Sequence, residues 1–522
     1  MSSTSRNSVA AALLVALSSL PAARARAEGS APLSAIDWLS RSVATPGAVA
    51  PARPAPAEPP VATGVARGAI SVTPLGLRSY DAIGLAPASK AGLPADLWGP
   101  TPPEELTRLI RAERIDTLPA VQSLLYTLLL SEFSPPVGAD PEGTFFIARL
   151  DKLLDLGALD PALALLEQVD TPTPEMFRRW FDIALLTGQE DRACALMRDT
   201  PGLAPTFPAQ VFCLARGGDW NAAALSLRTG EALGYIDDGM GELLERFLDP
   251  ELFEGMPDLA PPARPSPLVL RLMEAIGQAI PTAMLPVPFA QADLRSNAGW
   301  KTRLEAGERL ARTAAIEPNR LLGLYTERKP AASGGIWDRV AAVQAFDDAL
   351  QSADAAAVAR NLPRVWSEMT GAELEPAFAA LYGRPLAAMG LGGDADSLAF
   401  RIGLLSDDFE AIAKARRPSG PEEEFLIAIA LGLGTESAPP DQMGAAVEVA
   451  FSSEGPVSEP FGTMLTDGRL GELILHAVDK ITDGARGDLR DVTEGLQLLR
   501  RAGLETTARR AALELVLLER RG

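Results

Sequence analysis

From Thr101 onward the apolar residues of the chain recur at intervals of three and four, as in Leu106, Leu109 and Ile110, or Leu124, Leu125, Leu128 and Leu129. That spacing gives an α-helix one apolar stripe to bury and leaves its other faces polar. Helix starts are marked as well. TPPEELTRLIRAE opens with Thr101 as N-cap, Pro102 in the first turn and Glu104 at the reciprocal capping position. Thr173-Pro174-Glu175, Ser266-Pro267 and Ser419-Gly420-Pro421-Glu422 repeat the device. Many of the 44 prolines therefore punctuate helices. Past residue 100 no convincing run alternates with the two-residue period of a half-buried strand, and β-branched clusters are few. The pattern predicts an all-α body.

Within that body the helices pair. LLDLGALDPALALLEQ, ALLTGQEDRACALMRD and LARGGDWNAAALSLRT align on Gly157, Gly188 and Gly217, which stand 31 and 29 residues apart. Ala follows each at the fifth position (Ala162, Ala193, Ala222) and Leu at the eighth (Leu165, Leu196, Leu225). Gly503 with Ala508, and Ser406 with Ala411, keep the five-residue step. A tight turn followed by a small residue lets two helices approach closely, and a period of about 30–34 residues marks a helix-hairpin solenoid. These stretches resemble tetratricopeptide repeats, in which an inter-helix Gly precedes a small Ala by five positions. The likeness covers 145–235, and more faintly 400–415 and 495–515. It departs from the family where a large aromatic belongs, since Leu166, Met197 and Ser226 stand there, and the repeat-ending Pro is mostly missing. A generic antiparallel bundle would place Gly and Ala similarly. A Pro-rich junction at 256–298 predicts two lobes, 101–255 and 299–522.

The chain ahead of Thr101 reads differently. Met1–Ser8 carries Arg6, Val9–Leu20 is apolar, and Ala25-Arg26-Ala27 fits the small-residue pattern of signal-peptidase cleavage, with Ala23-Arg24-Ala25 as the alternative. The apolar run falls short of the roughly 20 residues a bilayer span requires. A signal peptide over 1–27 is expected, with no stable membrane insertion after its removal; an uncleaved anchor is the alternative. Residues 44–68, within a 28–68 linker, hold many prolines and almost no large apolar residue, which predicts disorder. One island interrupts the linker: SAIDWLSRSV at 34–43, where Ile36, Leu39 and Val43 share a helical face with Trp38 at its edge. Two turns do not persist alone in water. Ile36, Trp38, Leu39 and Val43 are therefore candidate docking residues, for a partner's groove or for this chain's own body, unless the cluster arose by chance. Residues 69–100 are expected to lie extended on the body, with AISVTPL as a possible edge strand and Trp98 as an anchor.

Charge narrows the class of partner. The chain has 48 basic and 68 acidic residues; without Arg6, Arg24 and Arg26 of the leader, 45 basic against 68 acidic leave a formal charge of −23. Such a surface repels nucleic acid and anionic lipid. Only six of the basic residues are Lys, a skew that, with abundant Ala, Gly and Pro, points to a GC-rich bacterial genome and a periplasmic destination. Cys194 and Cys213, the only cysteines, flank the loop PGLAPTFP and sit equidistant from a centre near residues 203 and 204. In an antiparallel hairpin they would face each other, and an oxidising compartment would join them. Two buried thiols that never meet is the other reading.

Catalytic signatures are scarce. The single His476, between Ile474 and Val478, reads as a packing residue. MGLGGDAD and LGLGTES lack the third Gly and the preceding strand of a dinucleotide site, and IDDGMGE lacks calcium-loop spacing. KPAASGGIWDRV could offer the backbone N–H groups of Ser333, Gly334 and Gly335 to an anion, but reads better as a tight connection with Trp337 packed near Trp300 and Tyr325. No cofactor or metal is expected. The reading is a non-enzymatic periplasmic scaffold or adaptor for protein partners in envelope assembly, motility or cell-wall regulation. The alternative is a cell-wall glycan hydrolase or its helical accessory domain, which would need a raised-pKa acid near a second carboxylate or a stabilised substrate group.

Overall fold

The computed structural model describes residues 79–433, 437–452 and 457–518, all within a single compact unit. Among them are 25 α-helices, from Ala88–Ala91 to Glu505–Leu517, and one extended pairing, the parallel register of Ala86–Pro87 with Ser131–Glu132. The body is all-α, as the apolar periodicity requires. The AISVTPL stretch lies outside the described residues.

Consecutive helices form antiparallel hairpins with a shared rule at their turns. Gly157 and Gly188 take φ of +79° and +77° and so end the preceding helix in the left-handed region. The fifth and ninth residues beyond each turn, one helical turn apart, both face inward: Ala162 and Leu166, Ala193 and Met197. The third repeat corrects the sequence alignment by one residue. Gly217 is right-handed, and it is Gly218, at φ +83°, that makes the turn. Ala223 and Leu227 are accordingly the buried pair, while Ala222 is only half-buried and Leu225 is 70% exposed. The same step places Leu473 and Ala477 after Gly468, Val492 and Leu496 after Gly487, and Ala508 and Ala512 after Gly503. Two turns achieve it without glycine. Ala353 (φ +51°) precedes buried Val358 and Leu362, and Glu373 (φ +58°) precedes buried Phe378 and Tyr382. The match proposed for Ser406 and Ala411 fails: Ala411 is exposed, and Ile412 and Ala413 fill the interior instead.

Two of the expected caps are present, with Thr173 and Ser266 accepting from the backbone N–H groups of Met176 and Val269. Thr101 does something else. Its helix begins at Pro103 with no side-chain cap, and its hydroxyl donates to Glu472 Oε2 at 2.9 Å, 371 residues away. That bond is part of a larger closure between N-terminal and C-terminal helices of the body. Trp98 is fully buried, edge-on to Phe133 and Phe145 with ring centroids 5.6 and 4.9 Å away. Its ring lies flush on Gly471, where a Cβ would stand 2.6 Å from it. The Gly471 N–H donates to the Leu97 carbonyl at 2.9 Å. Further along, the Ala120 N–H donates to Glu514 Oε2 at 2.8 Å.

The cores follow this closure. One apolar cluster contains Trp98, Leu106 and Leu125 together with Leu473, Leu496 and Leu513; a second runs from Phe177 to Met273, and a third from Leu304 to Leu405. The Pro-rich stretch at 256–298 contributes to more than one of these cores. Its helix Pro267–Ala275 supplies the second core, and Gln291 Nε2 donates to the Gly157 carbonyl at 2.7 Å.

The first core also holds buried charge, and the helix Thr144–Asp155 accounts for it. Arg149 donates to the carbonyls of Leu129, Ser131 and Asp81, and Lys152 to those of Arg111 and Glu113. Leu129 and Arg111 lie in the final turns of the helices Pro119–Leu130 and Pro103–Ala112, so each cation satisfies carbonyls the helix itself cannot. Burial pushes the Arg149 guanidinium down to about 10.

If Trp98 closes the body, Trp98→Ala should lower the unfolding free energy by about 3–5 kcal/mol. Gly471→Ala should destabilise in the same direction through overpacking against the ring. Trp220→Ala, at an exposed site, should stay within about 0.5 kcal/mol of the parent. Urea titration of the three variants checks the ranking.

Candidate interaction surface

The second core is built on aromatic side chains. Phe177 stacks on Phe181, Phe181 meets Phe212 edge-on, and Phe212 stacks on Phe247, with centroids 6.4, 6.4 and 5.7 Å apart. Around this spine stand the helices Glu190–Asp199, Phe207–Arg216, Trp220–Ala232 and Asp238–Leu248. Thr206 caps the second of these by accepting from the Ala209 N–H, with Pro208 in its first turn. Asp219 and Asp237 cap the next two, accepting from the N–H groups of Ala222 and Met240. Short polar side chains thus set where the last three of these helices begin.

Cys194 and Cys213 face each other across the first hairpin and are joined by a disulfide, their Cα atoms 5.1 Å apart. An open cavity of about 830 Å³ lies over the bond, with Met197, Leu214, Phe207 and Tyr235 among its apolar walls and Arg198 and Gln210 among its polar ones. Phe207 and Tyr235 stack face to face at 4.9 Å. Gly230 makes that approach possible, since a Cβ there would stand 2.6 Å from Ile236 and 3.2 Å from Phe207.

Outside the disulfide, two arginines tie three stretches of chain into one layer. Arg228 on the helix Trp220–Ala232 bonds Glu231 at 3.1 Å and reaches Glu245 on the next helix at 2.6 Å. These two carboxylates hold its guanidinium above the ordinary arginine range. Arg246 bonds Glu242 at 2.7 Å and the Pro257 carbonyl at 2.8 Å, and lies 5.4 Å from the centre of the Phe253 ring. The segment 249–258, which opens with the 3-10 helix Pro250–Phe253, is therefore fastened along the helix Asp238–Leu248.

This layer leaves apolar side chains in water. Ten large apolar residues are exposed among the described residues, and five of them fall between 220 and 258: Trp220, Leu225, Leu233, Leu252 and Met256. Scattered exposure is ordinary, whereas concentration on one part of a surface marks an interaction site.

The other residues singled out from the sequence lie elsewhere. Ile36, Trp38, Leu39 and Val43 fall outside the described residues. His476 is half-buried, 5.7 Å from the Phe461 ring, and burial pushes its pKa down. Trp337 packs on Trp300 at 5.0 Å, and the Trp300 indole N–H donates to the Leu324 carbonyl at 2.9 Å. Gly334 and Gly335 form the turn ahead of Trp337 with φ of +95° and +55°. Among the described residues no group of His, Cys, Asp and Glu is arranged to hold a metal, and no helix is long and apolar enough to cross a membrane. Sequence reasoning missed Trp220 and Leu225, because the repeat was anchored on the first glycine of the GGDW stretch; the second glycine was the available signal.

Comparison of the chain with protein-family models, curated proteins and solved structures finds no match in any of the three.

Opening the disulfide should lower stability by roughly 3 kcal/mol, the loop-closure entropy of about 20 residues. Melting the protein with and without a phosphine reductant tests this. The parent should melt lower when reduced, and a Cys194→Ser/Cys213→Ser variant should melt equally low in both conditions.

Proposed function

We propose that this chain is an exported adaptor of the bacterial cell envelope, which holds protein partners on the outer layer formed by residues 220–258. The observation that carries the reading is the concentration of exposed Trp, Leu and Met side chains on that layer. A protein partner gains from burying them, whereas water does not. The tetratricopeptide-like turns at Gly157 and Gly188 support the same reading, because helical-hairpin stacks expose broad surfaces suited to protein binding. Export is supported by the leader-like Val9–Leu20 run and small-residue cleavage pattern, and by a disulfide that suits an oxidising compartment. The formal charge of −20 argues against nucleic acid as the partner. The amphipathic island 34–43, with Ile36, Trp38, Leu39 and Val43, would act as a second, tethered docking element.

In-cell crosslinking followed by affinity purification tests the assignment. Trp220→Ala/Leu225→Ser should deplete the proteins captured by the parent chain while leaving its melting temperature unchanged. An unaltered set of captured proteins would place the binding surface elsewhere.

A further inference from the structure

The charge of the outer layer identifies the partner's chemistry more closely. Residues 231–258 contain nine carboxylates and one cation, Arg246. Three of the carboxylates, Glu231, Glu242 and Glu245, are spent on Arg228 and Arg246. Asp237 and Asp249 cap their local helices by accepting from the N–H groups of Met240 and Leu252. Asp238, Glu251, Glu254 and Asp258 remain, all exposed and none in an ion pair with another described residue. They are interleaved with the apolar side chains: in DPELFEGMPD, exposed Leu252 and Met256 sit four residues apart between Glu251, Glu254 and Asp258. The stretch is not loose, because Arg246 fastens it at Phe253 and at the Pro257 carbonyl.

We propose that this layer docks a basic amphipathic helix of a partner protein. The inference rests on the adaptor reading and adds the partner's chemistry to it. A helix with Leu-type residues at three- and four-residue spacing covers Leu252 and Met256, while its flanking Lys and Arg side chains meet the unpaired Glu251, Glu254 and Asp258 interleaved with them. Apolar burial supplies most of the affinity. The carboxylates supply long-range attraction and reject acidic helices, which makes the association sensitive to salt. An anionic membrane surface or a nucleic acid would be repelled by the same charges.

The test uses the leaderless chain and a fluorescein-labelled helical peptide of about 14 residues built from Leu and Lys in amphipathic order. Two further peptides accompany it, one with the same composition scrambled and one with Glu in place of Lys. Anisotropy should report binding of the ordered Leu/Lys peptide at least about tenfold tighter than either other peptide, weakening as salt rises. Leu252→Ser/Met256→Ser, and separately Glu251→Lys/Glu254→Lys/Asp258→Lys, should each weaken it by about tenfold or more. Glu142→Lys/Asp170→Lys/Asp467→Lys, the same charge change on other exposed acids, should leave it near the parent value. Equal binding of the scrambled peptide, or equal loss in both Lys triples, would reduce the effect to general attraction by an acidic protein and overturn the proposal. If the peptide fails to bind while crosslinked partners still depend on Trp220 and Leu225, only the basic-helix assignment falls. If that dependence is absent too, the adaptor reading falls with it.

Discussion

The Trp98 ring, held edge-on by Phe133 and Phe145 and pressed against the bare backbone at Gly471, is the contact on which the rest of the body depends. A stack of helical hairpins has two ends, and each normally exposes an apolar face that a polar capping repeat must cover. Here the two ends cover each other. The Thr101 hydroxyl, the Leu97 carbonyl and the Ala120 N–H bond across the same seam to Glu472, Gly471 and Glu514. Only glycine at 471 lets an indole lie this close to a helix start. Buried Arg149 and Lys152 complete the first core by serving carbonyls near the ends of the two preceding helices.

Away from that seam, the second core is built on an aromatic spine, and the layer outside it carries exposed apolar side chains. Its rigidity is local: a disulfide across the first hairpin, capped helix starts, and Arg228 and Arg246 tying the outer stretches together. Exposed apolar groups on a rigid support lose less entropy when a partner covers them than the same groups on a loose loop would. That is the physical basis for assigning binding to this layer rather than to the closed seam.

Local rules made much of this legible in advance, and long-range ones did not. Periodicity and capping residues were sufficient for the all-α body, and Gly157 and Gly188 for two of its turns. Gly217 and Gly218 stand side by side, so composition alone could not say which would turn left-handed; the choice reversed the burial of Leu225 and Leu227. Ala353 and Glu373 make equivalent turns with no glycine to announce them. Trp98 reads as an anchor from its setting, but its partner Gly471 is 373 residues further on, with nothing local to connect them. Thr101 carries a cap's sequence signature, yet tertiary pairing with Glu472 displaced the cap. The prolines of 256–298 announce a junction, but the contacts that segment makes with more than one core have no local signal.

Native-state hydrogen exchange under increasing denaturant tests the closure most directly. The amides of Pro103–Ala112 and Leu470–Gly484, at opposite ends of the chain, should merge onto one exchange isotherm, because neither helix can open without exposing the Trp98 seam. Separate isotherms, with one of these helices opening at markedly lower free energy than the other, would contradict a body closed end to end.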